Sequence, residues 1–180
     1  MELTEKALRI AVEAHEDQVR KSDGSPYIVH PTMVGLLLRQ YGFSDEVVAA
    51  GFVHDVLEDT DMTANELTDQ LGEEATEYVT AVSENTTLPW EERKEQYTDN
   101  VAAAPEGAKA VCIADKIHNA ESVIHDYRTK GVAVWDVFNR GKDKKLWFEE
   151  LVYQKVSSTW KHPLLDRYRQ CIDTLHSLDG

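Results

Sequence analysis

Val47-Val-Ala-Ala-Gly-Phe-Val53 runs directly into His54-Asp-Val-Leu-Glu-Asp-Thr60. Ser44 stands before this stretch as an N-cap, so it reads as one buried helix from Asp45 to about Asp59. In such a helix His54 lies over Glu58 and Asp55 over Asp59, both at i, i+4. An apolar helix therefore ends in an imidazole and three carboxylates. Groups so close repel and shift one another's pKa unless a cation holds them. An exposed acidic helix end would explain the carboxylates, but not a histidine set against an apolar run.

Outward from this helix, helical signals continue in both directions. Thr4 is placed to cap a first helix carrying Ala7, Ile10, Ala11 and Ala14. Arg20 to Pro26 contains the turn dipeptides Asp-Gly and Ser-Pro. Pro31 opens a second helix with Val34, Leu37 and Leu38, which Gly42 ends. Thr63-Ala-Asn-Glu66 is a capping-box pattern, and Gly72 closes the helix it starts. Further helices are expected from Glu73 to about Ser83, Trp90 to Val101, Pro105 to about Tyr127, Val132 to Asn139, Gly141 to Ser158 and Pro163 to Leu178. Asn85 to Pro89 reads as a loop. No segment alternates as a strand does, so the expectation is an all-α, compact single domain of about eight to ten helices over residues 1–180.

Charge narrows the function. The 180 residues carry 19 Lys+Arg against 33 Asp+Glu, a net charge of −14. Nucleic acid and anionic membranes both require a basic field, so neither is an expected partner. The longest stretch free of Asp, Glu, Lys and Arg, Gly24 to Leu38, falls short of the roughly 20 residues of a membrane span. Two cysteines, Cys112 and Cys171, are too few for a disulfide framework. A cytoplasmic protein acting on a small molecule is expected. Glu58 to Glu106 holds fourteen acidic residues against Arg93 and Lys94, a pattern of solvated helix faces. The remaining basic clusters, Arg20-Lys21 and Lys142 to Lys145, are placed to cradle a small polyanion.

Two more segments bear on the His54 cluster. His30 precedes Pro31, which fixes the backbone just after it. Ala114-Asp-Lys-Ile-His-Asn119 lies within an otherwise apolar helix, where Asp115, His118, Asn119 and Ser122 share one face. A mid-helix Asp is costly to bury unless it is paired or metal-bound. Two His and two Asp supply four ligands for one divalent ion. Mixed imidazole and carboxylate suits Mn²⁺ or Fe²⁺, and Zn²⁺ also fits. Such an ion polarises phosphorus and acidifies water. His118 reads as a structural neighbour of Asp115, and His15 as a structural residue bonding toward the basic loop.

His30, His54-Asp55 and Asp115 match the H…HD…D pattern of HD-domain metal-dependent phosphohydrolases. The chain more closely resembles the hydrolase domain of the RelA/SpoT family, which removes the 3′-pyrophosphate of the alarmones guanosine tetra- and pentaphosphate. The matching stretches are Ala14-His-Glu-Asp-Gln-Val-Arg-Lys21, Gly24-Ser-Pro-Tyr-Ile-Val-His-Pro31, His54-Asp-Val-Leu-Glu-Asp-Thr60 and Ala114-Asp-Lys-Ile-His-Asn119. They cover about residues 4–125, with helices over 132–178 completing the domain. The length is similar to that of stand-alone small alarmone hydrolases, a group that includes the metazoan SpoT homologue. The resemblance implies an HD-domain fold and Mn²⁺ held by His30, His54, Asp55 and Asp115. It makes Glu58 and Asp59 the pair that orients and deprotonates the attacking water. It also sets Arg20 and Lys21 against the purine and Asn119 near the ribose or phosphates.

The sequence departs from the resemblance in the loop Ser83 to Leu88, where Thr86 stands near the place of a phosphate-binding lysine. Lys142, Lys144 and Lys145, with Arg140 beside them, are the expected source of a C-terminal phosphate clamp. Two other functions compete: an HD phosphohydrolase of another nucleotide, such as the 2′-phosphate of NADPH, and a catalytically silent nucleotide-binding module. The Glu58-Asp59 pair speaks against the second.

Overall fold

The computed structural model describes residues 1–21 and 23–180. Ser22, inside the turn expected between the first two helices, lies outside them. The described residues form helices α1 (Leu3–Ala14), α2 (Val29–Gln40), α3 (Asp45–Val53), α4 (Val56–Asp59), α5 (Ala64–Leu71), α6 (Glu73–Ala81), α7 (Trp90–Ala103), α8 (Glu106–Lys130), α9 (Gly141–Thr159) and α10 (Pro163–Ser177). Between α8 and α9 the chain winds as a 3₁₀ helix, Gly131–Val137, where the sequence pattern predicts an α-helix from Val132 to Asn139. The chain is all-α: among the described residues no strand forms. One isolated bridge, Val19 to Pro26, pins the basic loop between α1 and α2.

Most of the capping signals operate as read. Ser44 Oγ accepts the Val47 N–H at 3.4 Å. The Thr63 capping box closes in both directions. Thr4 does not cap α1: the Glu2 carbonyl accepts the Lys6 N–H at 3.0 Å, so the helix begins two residues earlier and Thr4 lies inside its first turn.

The larger difference falls at the site. The expected helix from Asp45 to Asp59 breaks after Val53, and Asp55 becomes the N-cap of α4. Successive residues of a continuous helix point about 100° apart. The backbone stays right-handed across the break, with φ/ψ of −61°/−28° at His54 and −95°/−5° at Asp55, and the two side chains meet, His54 Nε2 lying 3.0 Å from Asp55 Oδ2.

Two close approaches place the histidines. α3 is buried on every side from Val47 to Val53, as expected of a helix apolar all round. It crosses α2 at a pair of glycines. A Cβ on Gly51 would lie 3.2 Å from the Gly35 Cα and 2.5 Å from Leu38, and a Cβ on Gly35 would meet the Phe52 ring at 2.4 Å. Without side chains there the backbones come together, and the start of α2 meets the end of α3. α8 then passes through the middle of the molecule. Its residues Gly107 to Asp115 are all buried, which carries Asp115 to the same point. The apolar core continues from Ala7 to Leu175, so α9 and α10 pack on it without interruption. Among the described residues, no helix is long and apolar enough to cross a membrane.

Candidate active site

α2 delivers His30, the break after α3 delivers His54 and Asp55, and α8 delivers Asp115. His30 Nε2 lies 3.1 Å from Asp115 Oδ1 and 3.7 Å from Asp55 Oδ2. His54 Nε2 lies 3.0 Å from Asp55 Oδ2 and 3.7 Å from Asp115 Oδ1. The ligand-type atoms of His30, His54 and Asp115 all fall within 4.8 Å of one another. The four residues named from the sequence thus converge.

The donor set fits a divalent cation. His54 Nδ1 donates to the Gly51 carbonyl at 2.9 Å. This fixes the tautomer and leaves Nε2 bare, and Nε2 is fully buried with no hydrogen-bond partner. His30 Nδ1 meets His118 Nδ1 at 2.8 Å. With the proton on His30, His118 accepts it and His30 Nε2 is also bare. Burial and the neighbouring His30 push His118 down to about 4, so it stays neutral as an acceptor requires. His118 therefore stands behind a ligand and orients it.

Without a cation the cluster holds protons instead. Burial alone would push His54 down, but the carboxylates of Asp55 and Asp115 override it and hold the imidazole well above its usual range. Burial would likewise raise Asp115, yet Lys116, His30 and His54 keep it well below the usual carboxylate range. Ligand binding of a metal displaces such protons.

Several partners were not legible as site residues. The Tyr27 hydroxyl donates to Asp55 Oδ2 at 2.5 Å. Lys116 Nζ pairs with Asp115 Oδ2 at 2.8 Å and lies 5.2 Å from the rings of Tyr97 and Phe148. The Glu84 N–H donates to Glu58 Oε1 at 2.7 Å. Gln18 joins His15 Nδ1, at 2.9 Å, to the Asp59 carbonyl, at 3.1 Å. Tyr27, Gln18 and Lys116 sit inside the motif stretches, Tyr27 three residues before His30 and Lys116 beside Asp115. Only their ordinary residue types hid them. Nothing in the sequence pointed to Glu84.

These groups line one cavity of about 690 Å³. Glu58, Asp59, Arg20, Lys21, Asn119 and Lys145 all reach it. Burial, with the charges of Glu84 and Asp55, pushes the Glu58 carboxyl up to about 7 against the Glu84 N–H. Burial and Asp55 raise Asp59 as well. Arg20 donates to Asn119 Oδ1 at 3.3 Å, and Asn119 donates in turn to Asp115.

Lys142 and Lys144 do not join this cavity. Lys142 reaches back to the Leu178 carbonyl and over Trp135. Lys144 pairs with Glu91 at 3.3 Å and covers Trp90 and Trp147. These partners hold Lys142 and Lys144 away from the wall that Lys145 reaches. Arg93 and Lys94 close on Glu84 instead.

A family profile described as HD domain matches residues 7–140. A guanosine-3′,5′-bis(diphosphate) 3′-pyrophosphohydrolase of Aquifex aeolicus (strain VF5) is 30% identical over 175 residues, covering 84% of this chain and 25% of that protein. The Mus musculus protein of the same activity name, MESH1, is 38% identical over 117 residues, covering 63% of this chain and 65% of its own. The chain thus matches under two thirds of the length of these relatives. The crystal structure of lmo0812 from Listeria monocytogenes EGD-e superposes with a TM-score of 0.75 at 34% identity, over 80% of this chain and 96% of that one. A metazoan ortholog of SpoT, described as hydrolysing ppGpp, shares the fold with a TM-score of 0.82 at 23% identity, over 96% and 95%.

Proposed function

The chain belongs to the HD-domain family, and from that premise we propose that residues 1–180 act as one divalent-metal-dependent hydrolase domain releasing pyrophosphate from the 3′ position of guanosine tetra- or pentaphosphate. The observation that carries this reading is the meeting of two bare imidazole nitrogens and two carboxylates beside Glu58 and Asp59, in a cavity that also holds Arg20, Lys21 and Lys145. The activity named for the relatives supports the substrate. His30, His54, Asp55 and Asp115 would hold the ion, which we take to be Mn²⁺ from the mixed nitrogen and oxygen set. When bound, that ion supplies positive charge that polarises phosphoryl oxygen and acidifies water.

The protein's own groups do the rest. Glu58 and Asp59 take the proton of the attacking water. Water adds to the phosphorus next to the 3′ oxygen, and the bond between them breaks. The 3′ oxygen leaves on GDP or GTP and gains a proton, and pyrophosphate departs. The Arg20 guanidinium, steadied by Asn119, offers a flat face to the purine. Lys21 and Lys145 face the phosphates. Cys112 and Cys171 are free, buried thiols, which suits the reducing cytoplasm where we place the reaction.

The deciding experiment incubates the purified protein with Mn²⁺ and guanosine tetraphosphate, guanosine pentaphosphate or NADPH, then identifies the phosphate released. Pyrophosphate with GDP or GTP is expected. Orthophosphate from NADPH alone would overturn the reading.

Recognition gives a second expectation. The net charge of −14 repels polyphosphate, so capture rests on local cations. KM should rise with ionic strength. Arg20→Ala should raise KM by about fivefold or more, the worth of ~1 kcal/mol of stacking. Changing Lys142 and Lys144 together to Ala should leave KM as it was. A larger KM in that double variant than in Arg20→Ala would return the clamp to these lysines.

A further inference from the structure

Glu149 is fully buried, at 0% exposure, on the inner side of α9. Its carboxylate pairs with Lys145, one helical turn earlier, and accepts the Tyr168 hydroxyl from α10 at 2.5 Å. That hydroxyl also lies 3.2 Å from the Glu149 carbonyl. Burial and the Glu149 charge push the Tyr168 phenol well above its usual range, so it remains a donor. Lys145 alone of the three lines the cavity, and its ammonium lies 5.3 Å over the Phe138 ring on the cavity wall.

A buried carboxylate is expensive unless it is paired and hydrogen-bonded, and an apolar pair of similar volume would often hold α9 to α10 as well or better. The arrangement does something an apolar pair cannot. The carboxylate stands behind and the ammonium in front, so the positive end of the pair faces the cavity. An ammonium has three donors, and among the described residues Glu149 is the hydrogen-bond partner of Lys145. Two donors remain for an anion. Of the other cations lining the cavity, Lys116 pairs with Asp115 of the His/Asp cluster, Arg20 donates to Asn119, and Lys21 follows Arg20 in the basic loop.

We propose that Glu149 and Tyr168 are positioning residues that hold the Lys145 ammonium on the cavity wall to receive a phosphate of the substrate. The proposal rests on the functional reading above, which supplies the phosphates. It sets Lys145 apart from the neighbouring Lys142 and Lys144, whose partners hold them outside the cavity.

The test measures equilibrium binding of inorganic pyrophosphate and of GDP to the Mn²⁺-loaded protein, with thermal stability alongside. Lys145→Met should weaken at least one of them by about tenfold or more, the scale of one hydrogen bond to a charged group. Loss of GDP alone places Lys145 at the 5′ phosphates, and loss of pyrophosphate alone places it at the leaving group. Glu149→Gln, which keeps the shape and an acceptor for Tyr168, should reproduce the loss. Tyr168→Phe should reproduce part of it. Adding Glu149→Gln to Lys145→Met should cost no further affinity.

A purely structural latch gives another pattern. Glu149→Gln and Tyr168→Phe would lower Tm while both affinities stayed at the wild-type value, and that result overturns the proposal. So does unchanged affinity in Lys145→Met, should Glu149→Gln fail to fold, or a wild-type protein that binds neither ligand. Absence of turnover of guanosine tetraphosphate by the wild type would remove the substrate reading, and the affinity loss in Lys145→Met would still decide the role of the pair.

Discussion

Asp115→Ala should release the divalent ion and abolish turnover together. The carboxylate lies 3.1 Å from one histidine Nε2 and 3.7 Å from the other, so its loss removes a charged donor from the centre of the set. It also leaves Lys116 without the partner that holds its ammonium 2.8 Å away. A buried ion deprived of its counterion costs about 3–5 kcal/mol, and the freed charge repels a cation from the same site. Asp115→Ala should therefore lose stability as well as metal. Asp115→Asn separates the two effects. It keeps the shape and still offers an oxygen to Lys116, so it should retain more of the Tm while losing the ion. His118→Ala should keep the ion at about tenfold lower affinity, as expected for a residue that orients a ligand from behind. Metal content after dialysis, read beside thermal melts, checks all three. A full complement of metal in Asp115→Asn would reject the assignment.

The sequence made the helices legible because their signals are local. Caps, prolines and 3.6-residue periodicity operate within one turn or two, and Ser44 and the Thr63 box behave as read. The His/Asp cluster was legible because His54, Asp55 and Asp115 adjoin or occupy apolar runs, where charge needs a reason. What the sequence could not show is pairing across elements. The break after Val53 follows from no Gly or Pro. His54 and Asp55 keep right-handed backbone angles across it, so the local sequence carries no stop signal to read. Tyr27 and Glu84 act through contacts 28 and 26 residues away in sequence, beyond any local pattern. The lysines of α9 looked alike in sequence, but Lys145 reaches the cavity while Lys142 turns to the Leu178 carbonyl and Lys144 to Glu91. Nothing local marks Glu149 either: its partner Tyr168 lies in another helix, 19 residues on.

Glu58→Gln and Asp59→Asn should each leave fold and metal in place and lower kcat by a factor of about 10² or more, the usual scale of lost general-base help. KM should change little, because neither carboxylate attracts a polyphosphate. The Gln oxygen can still accept the Glu84 N–H that fixes this side chain at 2.7 Å, so a loss of rate reports charge rather than position. The pH dependence gives an independent reading. Burial pushes the Glu58 carboxyl up to about 7, and only its ionised form accepts a proton. The rate should therefore climb with pH along an acid limb at or below about 7, since a nearby dication draws the carboxyl downward. Glu58→Gln should flatten that limb.

The same shift has the opposite sign for stability. A carboxyl whose folded pKa is raised is protonated when folded while the unfolded chain has already ionised. Its stabilising contribution is thus present below the unfolded value of 4.5 and is lost as pH rises toward the folded value of about 7. In metal-free protein, the Tm of Glu58→Gln relative to wild type should rise between pH 5 and pH 8. A residue kept ionisable at a cost to folding, and needed ionised for turnover, is what a general base in a buried cavity requires. Near wild-type kcat in both amide variants would mean the proton leaves by another route, and Glu58 and Asp59 would then lose their role.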